Sequence, residues 1–394
     1  MLVKELFEKL DQKYEKMVEI RRHLHMYPEL SFEEKETSKY IAGFYKNKWV
    51  EVKTNVGGYG VVVTIDTKKP GKTIALRADF DALPIEEENT FEYRSKNPGV
   101  MHSCAHDGHT AYLMVLAQTL IEMKDKLVGK IVIIHQPAEE TPPGGSIQMI
   151  KDGVLEGVDN VFGLHLMSQM DFGKIFYHKG ETQQARAKFD IKIQGVGGHG
   201  SSPHEANDAI VCASYMVTAL QTIISRRLNP FMSGVVTIGS FTGEGSFNII
   251  KDSVTLTGDV RTMSEKAKVM IEEEVNRIAK GIGEAFNCGI EVDYKNDYPV
   301  LYNDPELTQF VVDTLEKVKI DNVIAVEDSG PMAPSEDFSY YTKERPCVFY
   351  YIGAKPQGEA YPHHHPKFDF DERAMLIAGK SLGAVVLSYF NLLK

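Results

Sequence analysis

Ten residues, MHSCAHDGHT at positions 101–110, hold three histidines, a cysteine and an aspartate, with Cys104 and His106 two apart. A thiolate and an imidazole at that spacing can reach one metal ion from a single loop. The plain alternative is a buried cysteine acting as a small apolar side chain. Other ligand-type residues tip the balance. Asp79 and Asp81 follow the apolar run in KTIALRADFDALP, Glu139 and Glu140 follow GKIVIIHQ, His165 closes VDNVFGLH, and His363, His364 and His365 lie in the loop after RPCVFYYIG. Cys104, His106, Glu140, His165 and one residue of the histidine run make more protein donors than a single catalytic zinc takes. They suit two divalent ions sharing a ligand at roughly 3.5–4 Å. Such a site acidifies a bridging water and polarises a carbonyl, and one of two adjacent glutamates can coordinate while the other serves as general base.

The elements that carry these residues read as an α/β fold. Short runs of β-branched and apolar residues (GYGVVVTID, KTIALRAD, GKIVIIHQ, VDNVFGLH, RPCVFYYIG) alternate with helical stretches such as AYLMVLAQTLIEMKDKL. This pattern predicts a mixed central sheet with helices on both faces, and ligands in such sheets bind beyond the carboxyl ends of the strands. The middle of the chain differs. From Ala185 it reads strand, helix, strand, strand, helix, strand, with polar and apolar residues alternating along the strands, which is the ferredoxin-like βαββαβ order. The expected layout is therefore a catalytic domain in two parts, 1–184 and 298–394, with a smaller lid or dimerisation domain, 185–297, inserted between them. Residues 195–200 and the junctions near Gln184 and Asn296 are the expected hinges for closure. At the start, Pro28 ends one opening helix, and Ser31 with Glu34 reads as a capping box for a second. His23 and His25 read as packing or surface groups.

Composition excludes several classes. The 394 residues exceed one comfortable core. A net charge of -11 argues against nucleic acid. Four scattered cysteines without a CxxC suit a reducing compartment, the N-terminus lacks a signal-peptide h-region, and no window approaches a membrane span. The expectation is a cytoplasmic protein acting on small molecules. Residues 57–60 give no GxGxxG, which discounts a nucleotide-dependent enzyme.

The ordered set RADFDALP, MHSCAHDGHTA, HQPAEE, GLH, GGHGSSPH, SEDFS and HHPKFDFDE resembles peptidase family M20, the metallohydrolases that include aminoacylases, glutamate-releasing carboxypeptidases and hippurate hydrolases. It is most similar to their cysteine-containing branch of N-acyl-amino-acid amidohydrolases and auxin-conjugate hydrolases. The resemblance implies Cys104, His106, Glu140, His165 and His364 as metal ligands, Glu139 as general base, and Asp81 as a partner orienting a ligand imidazole. It further implies His199 as an oxyanion-stabilising group, Asn248 and Arg261 near the substrate, two ions of manganese or zinc, and a homodimer through the inserted domain. Asp79 stands where other branches place a ligating histidine. His109 and His204 receive no role, and the bridging ligand stays open. The implied reaction is hydrolysis of an N-acyl-L-amino acid. A dipeptidase or carboxypeptidase using the same machinery and an inactive metal-binding or assembly protein are the alternatives.

Overall fold

In the computed structural model, which describes residues 2–393, the chain divides into two compact units. One takes the chain up to Gly180, then Tyr302–Pro331 and the residues from Asp337 onward; the other holds Glu181–Leu301 with Met332–Glu336.

The first unit is built on an eight-stranded sheet. Its strands run in the order Glu51–Val56, Gly60–Asp66, Lys130–Gln136, Thr73–Asp79, Asn160–Met167, Cys347–Gly353, Lys174–Tyr177 and Ala325–Asp328. The four central strands, Lys130–Gln136 to Cys347–Gly353, are mutually parallel. Their flanking neighbours on either side are antiparallel, so the sheet is mixed. The central strands are buried at nearly every position, as a sheet covered on both faces requires. The helix His106–Glu122 is buried around most of its circumference because it lies under the helices Tyr14–Met26 and Arg373–Tyr389 while packing on the strand Thr73–Asp79. Parallel direction has one decisive consequence: the carboxyl ends of four strands meet at one edge.

Three local expectations are corrected. The opening helix is two helices, Leu2–Asp11 and Tyr14–Met26, parted by a short turn; the apolar spacing continues across the turn, so periodicity could not show it. Ser31 and Glu34 are no capping box. The helix Lys35–Phe44 has no side-chain cap from its Glu34 N-cap, and the carboxylate of Glu29 accepts the Glu36 and Thr37 amides instead, at 3.1 and 2.8 Å. Finally, one helical run, Ala209–Arg227, does reach membrane-spanning length and hydropathy (mean hydropathy 1.3). Its apolar residues Cys212, Ala213, Met216 and Leu220 are packed in the core of the second unit.

That second unit is a four-stranded antiparallel sheet in the order Gly234–Thr242, Ser253–Thr262, Ala185–Gln194, Gly289–Tyr298. The helices Ala209–Leu220 and Glu265–Ala285 complete the βαββαβ sequence. Asp208 and Ser264 cap these helices by accepting amides of their first turns. Burial alternates strictly along Ser253–Thr262, which is the mark of a sheet with one covered face.

Candidate metal centre

Cys104, Glu140 and His364 stand in short turns at the carboxyl edge of the large sheet, His106 opens the helix that follows the first of these turns, and His165 stands near the end of the strand Asn160–Met167. Ala105, between Cys104 and His106, is left-handed with φ 67°; Ala138, just before Glu139, has φ 53°; His364 itself has φ 65°. Non-glycine residues hold this conformation at a cost on the order of 1–3 kcal/mol each, and such strain gathers at functional sites. Here it turns neighbouring side chains toward a common point.

At that point two donor triads overlap. Cys104, His106 and His165 form one, and Cys104, Glu140 and His364 the other, with the donor atoms of each lying within 4.8 Å of one another. Cys104 Sγ stands 3.5 Å from His165 Nε2, and His364 Nε2 stands 3.3 Å from Glu140 Oε2. His106 Nε2 and Glu140 Oε1, 3.9 Å apart, are both buried without a hydrogen-bond partner. Orphaned buried polar atoms are costly, and a cation between these two would satisfy both. A further group, His106 with Glu139 and Glu140, meets the same limit, so the residues present fit a pair of ions, with Cys104, His106 and Glu140 each belonging to more than one set.

Neighbouring groups fix the donors' orientation. His106 Nδ1 bonds the Asp81 carboxylate (3.1 Å) and carbonyl (3.0 Å), so its proton is assigned to Nδ1 and Nε2 faces the site. His165 Nδ1 likewise donates to the Leu166 carbonyl at 2.9 Å. Asp81 also accepts the Glu140 amide at 2.9 Å, and one carboxylate thus orients two donors. Glu139 is buried, and the Asp337 amide donates to its Oε1 at 3.4 Å.

His109 also lies within ligand distance of Asp79 and His106, but its nitrogens are engaged. Nδ1 donates to Asp79 Oδ1 at 2.6 Å, and Nε2 accepts the Leu166 amide at 2.9 Å. It is a strut between strand and helix. Of the histidine run, His364 alone joins a donor triad among the described residues. His363 accepts the Ser168 amide, and His365 stacks on Tyr361.

Four carboxylates crowd this edge, and the titration of its members follows. Burial raises the Cys104 thiol well above its usual range, with Glu140 and Glu139 adding to it. Burial alone would lower His106, but Asp79 and Asp81 overcome it and bring its pKa to about 10. Burial keeps His165 well below the ordinary histidine value, hence neutral, the form a ligand needs. The excess negative charge is what two dications would neutralise.

Sequence reasoning missed the support beneath the site. Arg77, buried within an otherwise apolar strand, bonds Asp79 (2.6 Å), Asp337 (2.8 Å) and Gln136 (2.9 Å). This holds Asp79 as an ion: burial opposes the charge, but Arg77, His106 and His109 outweigh it. A lone arginine in KTIALRAD was the available signal.

The remaining predicted residues lie in the second unit. Gly198–His199 pairs with Ile249–Ile250, and the Gly200 amide donates to the Asn248 carbonyl at 2.9 Å, so His199 and Asn248 are neighbours in the chain fold; His199, Ser246, Ile249 and Lys251 line an open groove of about 530 Å³. His199 Nδ1 accepts the Ser201 amide at 3.1 Å, which puts its proton on Nε2. Arg261 bonds Asp259 (2.9 Å) and the Ser335 hydroxyl (2.8 Å). His204 is exposed beside Glu205.

A parallel α/β edge bearing sulfur, nitrogen and oxygen donors around paired glutamates defines a metal-dependent amide-bond hydrolase. The chain belongs to Peptidase family M20/M25/M40, which it matches over residues 75–388. YhaA of Bacillus subtilis (strain 168), named an amidohydrolase, is 44% identical over 393 residues, 99% of each chain. The N-acetyl-L-cysteine deacetylase of the same organism is 39% identical over 362 residues, 92% of this chain and 85% of that one. The crystal structure of the Bacillus subtilis YXEP protein, described as a dinuclear metal binding peptidase from the M20 family, has a TM-score of 0.83 and 28% identity, covering 97% of this chain and 100% of that one.

Proposed function

We propose that the protein hydrolyses the amide bond of N-acyl-L-amino acids at a two-metal site. Cys104, His106 and His165 would hold one ion and Cys104, Glu140 and His364 the other, with manganese or zinc as the metal. The observation that carries this reading is the pair of triads sharing Cys104, with a second glutamate, Glu139, buried at the same edge. Bound there, the ions supply a Lewis acid for the amide carbonyl and a more acidic water.

The chain's own residues do the rest. Glu139 takes a proton from the attacking water and delivers it to the leaving amine. Asp81 and the Leu166 carbonyl take the Nδ1 protons of His106 and His165 and leave Nε2 of each facing the site. His199, protonated on Nε2, has the donor an oxyanion needs. Asn248 and Arg261 would meet the substrate, the guanidinium being preset by Asp259 and Ser335 to fork onto a free carboxylate. The name of the related N-acetyl-L-cysteine deacetylase favours acyl-amino acids over dipeptides. We further place a homodimer contact on the second unit, where the edge strand Gly234–Thr242 leaves Val235 and Phe241 exposed. The four free thiols suit a reducing cytoplasm.

The test is a substrate panel of hippurate, N-acetyl amino acids, indole-acetyl amino acids and dipeptides, run with manganese or zinc. Acyl-amino acids should be cleaved fastest. Glu139→Gln should lower kcat by about 10²–10⁴-fold with metal content unchanged, and wild-type turnover in that variant would remove the base assignment.

A further inference from the structure

The loop before the helix Lys35–Phe44 has a conformation that its own helix does not explain. Ser31 and Glu34 carry the spacing of a capping box, yet Glu29 does the capping. Both side chains point the other way, into the first unit. The Ser31 hydroxyl donates to Asp81 Oδ2 at 2.7 Å, the same oxygen that accepts the Glu140 amide at 2.9 Å. Glu34 is fully buried, and its Oε1 accepts the Ala138 amide at 2.7 Å. Ala138 is the left-handed residue whose conformation aims Glu139 and Glu140.

The backbone anchors the loop as well. The Ala82 amide donates to the Glu29 carbonyl at 2.9 Å, and Leu30 bridges Ala82. The loop thus grips both sides of the site, the Asp81 strand end and the glutamate turn. Phe32, at φ 68°, provides the reversal that lets Ser31 and Glu34 face the same way.

We propose that Ser31 and Glu34 are positioning residues that hold the Glu139–Glu140 turn against Asp81. Glu34 acts as a neutral acceptor: burial, helped by nearby Asp81, pushes its carboxyl up to about 8, and its Oε2 is buried without a partner. A neutral group is what this position requires, because Asp81, Glu139 and Glu140 already bring three carboxylates to the same edge. The chemistry asked of Glu34 is one carbonyl-type oxygen at the Ala138 amide, which a glutamine side chain also has.

The inference rests on the reading of Glu140 as ligand and Glu139 as base, and its test separates the two. Full-length wild type, Ser31→Ala, Glu34→Gln and Glu34→Ala are compared for thermal midpoint, for zinc affinity by chelator competition, and for kcat and KM on an N-acetyl amino acid. Glu34→Gln should stay within about threefold of wild type in zinc affinity and kcat. Glu34→Ala should lose about 10–100-fold in zinc affinity or kcat with KM little changed, and Ser31→Ala a smaller part of the same loss. Rescue by glutamine distinguishes positioning from a general packing role, in which both Glu34 variants would shift the thermal midpoint and leave the kcat-to-KM split unmoved. Wild-type zinc affinity and kcat in Glu34→Ala overturn the proposal. A wild-type protein that binds neither zinc nor manganese overturns the metal-site reading instead.

Discussion

Asp81→Asn is the sharpest perturbation of this site, because one atom is exchanged and the volume is kept. Asp81 Oδ2 accepts the Glu140 amide and the Ser31 hydroxyl, while Oδ1 meets His106 Nδ1. Asparagine has one acceptor oxygen and one amide donor, so it cannot serve both sides. With its NH₂ toward Glu140, two N–H groups face each other at 2.9 Å. With its NH₂ toward His106, two N–H groups meet there, and Nδ1 of the imidazole keeps only the Asp81 carbonyl at 3.0 Å as acceptor. Either arrangement compromises one donor. Hydrogen bonds to charged groups contribute about 1.5–3 kcal/mol, so losing one net bond corresponds to about 10–100-fold in metal affinity, matching what such supporting partners typically contribute. Chelator competition with zinc or manganese measures the affinity, and the thermal midpoint of metal-free protein controls for folding. Activity should recover at high metal concentration. Unchanged affinity in a folded Asp81→Asn protein would show that Asp81 does not orient these donors.

Two further outcomes follow from the same geometry. Because Cys104 belongs to both triads, Cys104→Ala should weaken both ions, whereas His165→Ala should weaken one; a metal titration showing the same single-site loss for both variants contradicts the shared role. His25 sits fully buried between Asp107 (2.8 Å) and Glu87 (3.1 Å); burial lowers its pKa, but the two carboxylates outweigh this and raise it. A raised folded pKa contributes stability that is complete below the unfolded value of about 6.5 and is lost as pH rises through the folded value. The gap in urea midpoint between metal-free wild type and His25→Gln should therefore shrink from pH 6 to pH 10, and a constant or widening gap contradicts the charged form.

The legible parts of this fold are those where residue type alone constrains geometry. The long apolar runs of the central strands are unmistakable, whereas Lys174–Tyr177 and Ala325–Asp328 are four residues each, too short to show a period. His25 reads as a packing group until the fold sets it between two carboxylates, at the far end of a network in which buried Arg21 bonds Asp107 and Asp369. Ser31 and Glu34 show how local grammar misleads: the capping-box spacing is real, but a carboxylate two residues upstream of Ser31 occupies the helix end first.

By itself the sequence determined the alternation of strands and helices and the presence of thiol, imidazole and carboxylate donors after predicted strand ends, because hydrophobic period and ligand chemistry are properties of residues. Only the tertiary structure decided that Cys104 is common to two triads, that His109 bridges Asp79 and the Leu166 amide, that Arg77 bonds Asp79 and Asp337, and that Glu34 meets the Ala138 amide. Those assignments depend on which of a side chain's polar atoms are already engaged, and the engaging partners come from strands and loops tens to hundreds of residues away.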